Sequence, residues 1–270
     1  MNDLNAEPHR QDNAFAKPYS DETARVIDLE IKDINIFSDF VGTLKEENLF
    51  FGPETSTANR AMIGGMVGNN SSGTNSIKYG VTRDHILEIE AFLSDGTLVV
   101  FKAISKDEFQ EKLNLETLEG KLYKHIYHLL SSKENRNEIR SSFPKESIHR
   151  RNTGYALDIL MKSDVFDEST EEFNFCNLIA GSEGTLAFMT KIKLQCFDLP
   201  PKYSLLLCPH FKSVNDALKS VQTIMPHTPF ACELMDKVIM DCTKENIEYN
   251  QYRFFVEGDP QAMLFVELKA

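Results

Sequence analysis

One uncharged stretch of the chain is built from residues that suit hydrogen bonding to a ligand. Between Arg60 and Lys78 the sequence contains paired glycines, Gly64-Gly65, and paired asparagines, Asn69-Asn70, with several hydroxyl side chains. Glycine lacks a Cβ, so backbone N–H groups can approach a ligand closely, while Asn and Ser supply donors and acceptors without net charge. We interpret the loop of residues 53–85, which contains this stretch, as a site for a flat cofactor, and we call its residues 62–73 the cradle; an elaborate surface turn is the alternative.

Two further segments carry side chains that could complete such a site. The GSEGT loop, residues 181–185, places a carboxylate, Glu183, between glycines and between two short hydrophobic segments predicted as strands. The Arg turn, residues 149–155 (HRRNTGY), gathers three potential cations before a glycine. A guanidinium from Arg150 or Arg151 suits a carboxylate, because its fork of N–H donors matches the two oxygens. The alternatives are a hairpin turn at Glu183 and a solvated basic turn at the arginines.

Five blocks of sequence, in a fixed order, carry a resemblance to a known family. They are FFGPETSTANRAMIGGMVGNNSSG, YGVTRDHILEIEAFLSDG, HRRNTGYALDIL, NLIAGSEGTLAFMTKIKL and ELMD, spread from Phe50 to Asp236. Together they resemble the PCMH-type FAD-binding domain of the vanillyl-alcohol-oxidase superfamily, the FAD-linked oxidases. The likeness is to the D-2-hydroxyacid dehydrogenase branch, which includes D-lactate, glycolate and D-2-hydroxyglutarate dehydrogenases. Large bacterial proteins that fuse this flavin domain to an iron–sulfur domain are the most similar.

The resemblance implies FAD as the cofactor, a 2-hydroxy acid as the substrate, and hydride transfer from the substrate Cα to flavin N5. Electrons would pass to an acceptor such as a neighbouring iron–sulfur module. Arg150 or Arg151 would hold the substrate carboxylate, and no catalytic base can be named. Tyr79 is equally open to a packing role. The residues implied to line the flavin are Pro53, Glu54, Thr55, Ser56, Met62, Ile63, Gly64, Gly65, Asn69, Asn70, Ser71, Gly73, Tyr79, Gly80, Glu183, Gly184 and Thr185.

Two features of the family pattern are missing from this sequence. Residues 1–50 contain no Gly-rich loop of the PxGGGTSLxG kind, whose N–H groups wrap the FAD pyrophosphate in the resembling family. The family's active-site histidines lie in a later part of the cap domain. We therefore expect a chain truncated at both ends that binds FAD weakly and whose own activity is doubtful. The alternatives are a binding or structural subunit completed by another chain, and an enzyme of the same fold that binds UDP-sugars.

The predicted fold class is α+β, with the second subdomain of a PCMH-type FAD-binding domain followed by a partial ferredoxin-like cap domain. Residues 1–49 would be an irregular lead-in and a helix, a remnant of the first FAD subdomain. Residues 50–199 would form the FAD-binding domain, and residues 202–270 the partial substrate domain. The boundary is drawn at Pro200-Pro201, because two fixed φ angles cannot continue a sheet.

Hydrophobic periodicity predicts the elements that position these segments. The most distinct is a β-hairpin with its turn at Ser94-Asp95-Gly96. Amphipathic spacing predicts helices over 31–49 and 120–131, and TLAFMTKIKLQCF is predicted as one strand. At Gly65 we expect a positive φ or a close approach of the backbone to the flavin. After the diproline we predict strand, helix, helix and strand, over YSLLLCPHF, SVNDALKSVQTI with Ser213 as cap, CELMDKVIMDCT and AMLFVEL.

Composition excludes several classes of function. The net charge of −12 argues against nucleic-acid binding, because a phosphate backbone needs a basic face. No apolar run is long enough to span a membrane and no secretory leader is evident, so we expect a cytoplasmic protein. The five cysteines are odd in number and widely spaced, which favours reduced core thiols over a disulfide framework. They include no CxxC pair, so no iron–sulfur or zinc site is predicted. His125 and His128 are one helical turn apart but lack a third ligand, so no metal site is predicted.

Overall fold

The computed structural model describes residues 24–25, 37–148, 150–151, 154–167 and 170–270. The predicted lead-in and the first part of the helix predicted over 31–49 lie outside these residues, apart from one two-residue strand. The strands are β1 (Ala24–Arg25), β2 (Leu49–Phe50), β3 (Ile86–Phe92), β4 (Leu98–Ile104), β5 (Phe173–Asn174), β6 (Phe188–Leu194), β7 (Cys196–Asp198), β8 (Ser204–Leu207), β9 (His210–Phe211), β10 (Ala231–Asp236) and β11 (Ala262–Lys269). The α-helices are α1 (Phe37–Glu46), α2 (Ile63–Asn69), α3 (Ser76–Tyr79), α4 (Lys106–Leu113), α5 (Leu118–Ser131), α6 (Lys133–Ser142), α7 (Leu157–Leu160), α8 (Cys176–Ile179), α9 (Val214–Ile224), α10 (Lys237–Cys242) and α11 (Ile247–Asn250).

A four-stranded antiparallel sheet, in the order β5-β4-β3-β6, forms the centre of the larger core. Strands β3 and β4 are the predicted hairpin, with Ala91 opposite Val99. In its turn, Gly96 has a φ of +81° and the Asp95 carboxylate accepts the Thr97 N–H at 2.9 Å. The hairpin prediction is confirmed, because the alternating apolar face and the Asp-Gly turn specify the same register.

Helices α1, α4, α5 and α6 contribute side chains to the same core. Phe37 of α1 and Phe109 of α4 are fully buried, and Tyr123 of α5 is 1% exposed. The helix predicted over 120–131 is confirmed. The helix predicted over 31–49 is confirmed over residues 37–46, but it ends there, and Leu49 belongs to β2. The charged segment after α5 is itself a helix, α6, in which only Ile139 is buried. The helix begins after Ser132, whose hydroxyl accepts the Asn135 N–H.

The prediction of one strand over TLAFMTKIKLQCF is wrong, because the segment forms two strands in two sheets. Strand β6 pairs with β3 of the central sheet, whereas β7 pairs with β1 and β2. Between them, the Gln195 N–H donates to the His85 carbonyl at 2.8 Å. The chain therefore changes sheets at Gln195, a change that continuous hydrophobic alternation does not reveal. The short strand predicted just before the GSEGT loop is also absent, because this segment forms the one-turn helix α8.

The C-terminal sheet is antiparallel, in the order β10-β11-β8, with β9 also pairing with β11. Helix α9 begins after Ser213, whose hydroxyl accepts the Asp216 N–H, as predicted. The helix predicted over CELMDKVIMDCT is wrong: its first half is strand β10, and only its second half is helix α10. Cys232 and Leu234 face Val266 and Leu264 across the strand pair, so pairing with β11 overrides the helical spacing.

The topology of this sheet matches the first half of a ferredoxin-like sandwich. Strands β8 and β10 flank β11 and both run antiparallel to it, with α9 connecting them, which is a split βαβ arrangement. Ala217 of α9 packs against Ala262, Leu264 and Val266. Pro200 and Pro201 lie between β7 and this sheet. None of the described helices combines the length and apolar character needed to cross a membrane.

Candidate cofactor site

The paired glycines of the cradle, Gly64 and Gly65, stand in the first turn of α2, where the fold itself does not require glycine. Gly64 and Gly65 are exposed, have no positive φ, and a Cβ added to either would meet no atom within 4 Å. Of the two alternatives expected at Gly65, a positive φ is excluded, and a close approach of the backbone to the flavin stays a prediction. Glycine inside a helix costs about 0.5–1 kcal/mol relative to alanine. The two glycines thus leave the backbone of α2 uncovered by side chains, at some cost to the stability of the helix.

The glycine at the other end of the cradle has a structural role. A Cβ added to Gly73 would lie 1.3 Å from the carbonyl oxygen of Glu54, so the backbone of the PETS turn, residues 53–56, packs directly on this glycine. Within the turn Pro53 is buried, and Glu54 accepts a hydrogen bond from Asn75 Nδ2 at 3.3 Å. Thr55 contacts Thr57 through its hydroxyl at 3.2 Å. The sequence predicted this turn at the site, and the structure brings it against the cradle.

The paired asparagines of the cradle point in different directions. Asn69 is exposed, donates from Nδ2 to Oε1 of Glu183 at 2.9 Å, and accepts the Ser71 hydroxyl at 3.1 Å. Asn70 is fully buried in a left-handed conformation, with φ +52°, and its Oδ1 accepts the Arg83 N–H at 2.8 Å. Asn70 therefore shapes the cradle from within, whereas Asn69 joins it to the GSEGT loop.

The GSEGT loop lies directly on the cradle. The N–H groups of Gly181 and Glu183 donate to the carbonyls of Val67 and Gly68 at 2.9 and 2.8 Å. Glu183 and Gly184 both have positive φ, at +52° and +72°, and Glu183, Gly184 and Thr185 are all exposed. With these two residues left-handed, the Glu183 carboxylate faces Asn69. The loop joins α8 to β6 and is therefore not a hairpin turn. The two segments, more than one hundred residues apart, therefore form one continuous polar surface.

The Arg turn reaches the same surface, and its two arginines lie in different environments. Arg150 is exposed and donates from Nε to the Ser72 hydroxyl at 2.9 Å. Arg151 forms an ion pair with the buried Asp158, and its own side chain is only 12% exposed. His149 of the predicted turn lies outside the described residues. Of the two predicted clamps, Arg150 is accessible at the cradle, while Arg151 anchors the turn to α7.

Tyr155 adds a directed hydrogen bond between the Arg turn and the GSEGT loop. The Thr185 hydroxyl donates its one proton to the Ser182 carbonyl at 2.6 Å. The 2.7 Å contact between Tyr155 Oη and Thr185 Oγ1 must therefore have the tyrosine as donor. This leaves acceptor capacity on the Tyr155 oxygen, whose residue is 44% exposed.

The last two predicted lining residues close the cradle by packing. Tyr79 is 2% exposed, and its ring contacts Phe50, Phe197 and Phe230 at centroid distances of 5.2 to 5.5 Å. Gly80 has a φ of +72°, and a Cβ there would lie 2.3 Å from Oδ2 of Asp84. Of the two roles considered for Tyr79, these contacts support packing.

Arg83 is a buried residue that no sequence pattern marks as part of the site. It is the second residue of the TRDH turn, Thr82–His85, which precedes β3. Its side chain is 5% exposed and donates to the carbonyls of Ala180 and Gly154. Burial lowers the pKa of this guanidinium from its ordinary value, against the opposing charges of Asp84 and Asp158. An arginine beside an aspartate ordinarily predicts a surface ion pair, so no local signal marked it. His85, in the same turn, is buried too, and burial lowers its pKa.

Within the described parts of the chain, no group of three or more His, Cys, Asp or Glu side chains is arranged to hold a metal ion. His125 and His128 lie exposed on α5. A protein-family model described as an FAD binding domain matches residues 35–102, which include the cradle, the TRDH turn and all but the last two residues of the hairpin. These residues are part of an FAD-binding domain of the FAD-linked oxidase family. The cofactor of this domain is FAD.

The relatives that this chain matches are longer proteins. It is similar to D-2-hydroxyglutarate dehydrogenase of Haemophilus influenzae, with 33% identity over 217 residues, 80% of this chain and 20% of that protein. The enzyme of the same name from Escherichia coli is 31% identical over 222 residues, 82% of this chain and 21% of that protein. D-lactate dehydrogenase of Archaeoglobus fulgidus is 25% identical over 181 residues, 67% and 27% respectively. The chain thus spans about a fifth of the length of these D-2-hydroxyglutarate dehydrogenases.

Among solved structures, alkyldihydroxyacetonephosphate synthase superposes with a TM-score of 0.50 at 13% identity, covering 88% of this chain and 36% of that one. This is a likeness of fold alone. The residues of the cradle fit a flavin, because open glycine backbone at 64 and 65 lies in the same surface as the amide of Asn69 and the hydroxyl of Thr185. A ring system that is polar at its edge needs such uncharged donors and acceptors beside bare backbone.

Proposed function

We propose that this chain is the flavin-binding part of an FAD-dependent dehydrogenase that oxidises D-2-hydroxy acids. The observation that carries the proposal is the convergence of the cradle, the GSEGT loop and the Arg turn on one surface. The hydrogen bonds from Asn69 to Glu183, from Arg150 to Ser72 and from Tyr155 to Thr185 join them pairwise. When bound, FAD supplies an acceptor for the hydride.

The chain's own residues would bind and orient the cofactor. Gly64 and Gly65 would let the backbone of α2 approach it closely, and Glu183 would accept a hydrogen bond from a ribose hydroxyl. Uncharged donors beside the ring would tune how readily the flavin is reduced. The further residues that we propose to line the flavin are Pro53, Glu54, Thr55, Ser56, Met62, Ile63, Asn69, Asn70, Ser71, Gly73, Gly80, Gly184 and Thr185.

Arg150 is the proposed holder of the substrate carboxylate. It is exposed at the edge of the cradle, and its Ser72 contact uses only Nε, so the terminal nitrogens of the fork could engage a carboxylate. The names of the relatives support D-2-hydroxyglutarate and D-lactate as the first substrates to test. An iron–sulfur module as electron acceptor, a cytoplasmic location, and the domain division at Pro200-Pro201 are parts of the same proposal.

The substitution Gly65→Val tests the flavin site, and Gly42→Val is its matched control. Both glycines lie within helices, both are exposed, and an added Cβ meets no atom within 4 Å at either. The cost to the two helices should therefore be similar. We expect Gly65→Val to raise the dissociation constant for FAD at least about tenfold, which corresponds to about 1.4 kcal/mol, and Gly42→Val to leave it unchanged.

The measurement is quenching of flavin fluorescence as FAD is titrated into the millimolar range, because the sequence contains no pyrophosphate loop of the GGGTS kind. Circular dichroism of each variant reports whether the fold survives. Equal FAD affinity in wild type and Gly65→Val, or no binding by wild type at millimolar FAD, would refute the proposed site.

A further inference from the structure

One buried side chain lies where all three segments of the flavin site meet. We propose that Arg83 is the positioning residue of this site: its guanidinium holds the Arg turn and the GSEGT loop against the cradle, so that their polar groups face one cofactor. The inference rests on the proposed function. Arg83 itself would not touch the cofactor, because it is 95% buried beneath the segments it joins.

The contacts of Arg83 reach each segment in turn. Its backbone N–H donates to Oδ1 of Asn70 in the cradle at 2.8 Å. Its Nη2 donates to the carbonyl of Ala180, which leads into the GSEGT loop, at 2.5 Å, and lies 3.5 Å from the carbonyl of Gly154 in the Arg turn. Both carbonyls are met by one nitrogen, Nη2. A lysine ammonium is more strongly hydrated than a guanidinium and loses its charge more readily when buried, so lysine is a poorer substitute.

The backbone around Arg83 is built to admit it. Gly181 has a φ of +88°, and a Cβ added there would lie 2.7 Å from Nη2 of Arg83, 3.2 Å from the Gly154 carbonyl oxygen and 3.5 Å from the Cβ of Asn70. One point in space therefore adjoins the cradle, the loop, the turn and the guanidinium. A side chain at 181 would displace the guanidinium from this point.

The charge of Arg83 is balanced by acidic groups that belong to two elements. Asp84, its neighbour in the TRDH turn, and Asp158 of α7 both favour the charged form, while Arg151 opposes it. Asp158 is also the ion-pair partner of Arg151. Nε of Arg83 has no acceptor among the described residues, so its Nη2 contacts decide how the guanidinium is oriented. The charges of Asp158 and Arg151, at the base of the Arg turn, therefore act on the Arg83 guanidinium in the TRDH turn.

The test compares Arg83→Met and Arg83→Lys with Arg136→Met in the full 270-residue chain. Arg136 is the matched control, because its Nη1 also contacts two carbonyls, those of Leu130 and Ser131, but at the junction of α5 and α6. Amide hydrogen exchange of the apo protein is followed at Gly181 and Glu183, whose N–H groups bond to the cradle. The FAD dissociation constant is measured on the same samples by fluorescence quenching.

We expect Arg83→Met to speed exchange at Gly181 and Glu183 at least about tenfold while the β3–β4 hairpin stays protected, and to raise the FAD dissociation constant about tenfold or more. Arg83→Lys keeps the charge and so retains the fold. We expect its exchange rates and its FAD dissociation constant to lie between those of wild type and Arg83→Met. Arg136→Met should change neither quantity by more than about twofold.

Unchanged exchange at Gly181 and Glu183 in both Arg83 variants would overturn the inference, and so would faster exchange with FAD affinity equal to wild type. A wild-type chain that binds no FAD at millimolar concentration would refute the proposed function instead. The three outcomes are therefore distinguishable on the same set of samples.

Discussion

Arg150 and Arg151 are neighbours in sequence with opposite environments. Arg150 lies exposed at the rim of the cradle with a single hydroxyl contact, while Arg151 is held by the buried carboxylate of Asp158 and by the Pro144 carbonyl. Sequence alone left both as candidate clamps, since adjacent arginines in an irregular turn carry no periodicity that distinguishes inside from outside. The two side chains differ in burial. A substitution at Arg150 should therefore change ligand binding, whereas one at Arg151 should change stability.

Arg150→Met should weaken binding of a hydroxy-acid ligand without unfolding the chain. We expect the dissociation constant for D-2-hydroxyglutarate, followed as a perturbation of the flavin absorption band at saturating FAD, to rise about tenfold or more, because a charge-assisted contact is lost. Arg140→Met, at an exposed position on α6, is the control and should have no effect. A ligand response that is the same in Arg150→Met and wild type would contradict the assignment.

Arg151→Met should instead lower stability. Removing one partner of a buried ion pair leaves Asp158 without its main counter-charge, a loss of about 3 kcal/mol or more in the free energy of unfolding. Urea denaturation measures this loss. The double variant Arg151→Met with Asp158→Asn should recover part of it, since the buried charge is then removed; a loss under about 1 kcal/mol in the single variant would show that the pair is not important for folding.

At the scale of elements, the predictions succeeded where local pattern and tertiary pairing agree. The hairpin β3–β4 has an alternating face, a two-strand register and an Asp-Gly turn that all specify one structure. Strand β10 was mistaken for a helix because Cys232, Met235 and Val238 also fit helical spacing, and only pairing with β11 decides between them. Composition predicts the cradle, but its contact with residues 181–185 is a long-range property that no local pattern encodes.

The hairpin turn offers a test that separates backbone strain from packing. Gly96 has a φ of +81°, yet an added Cβ would meet no atom within 4 Å. Gly96→Ala should therefore destabilise the chain by about 1 kcal/mol through conformation alone, and Gly96→Asn by less, because asparagine tolerates the left-handed region. Urea denaturation measures both variants. Equal losses for Ala and Asn would show that the cost does not come from the positive φ.

Across the whole molecule, the cysteine thiols differ in how deeply they are buried. Cys242 is exposed, whereas burial raises the pKa of Cys176 to about 12 and that of Cys196 to about 11. A pKa three or more units above pH 8 keeps these two groups protonated, so about one molecule in a thousand or fewer carries the reactive thiolate. A thiol reagent at pH 8 should modify Cys242 first and reach Cys176 and Cys196 only on unfolding.

Absorbance of the released thionitrobenzoate from Ellman's reagent, with and without urea, gives the number of fast and slow thiols. Cys242→Ser should remove the fastest phase and leave the urea-dependent phase intact. Rapid modification of Cys176 or Cys196 in the native chain would contradict the buried positions that both occupy in the larger core.

The bond between Asn69 and Glu183 spans 114 residues, and this separation has a consequence for biosynthesis. At about 5–20 residues per second, a ribosome delivers the GSEGT loop roughly 6 to 23 seconds after the cradle. Throughout that interval the carbonyls of Val67 and Gly68 lack the N–H groups of Gly181 and Glu183, and water takes the place of these donors. The nascent chain thus exposes an unfinished cofactor surface for a time that is long compared with the formation of its own helices and hairpin.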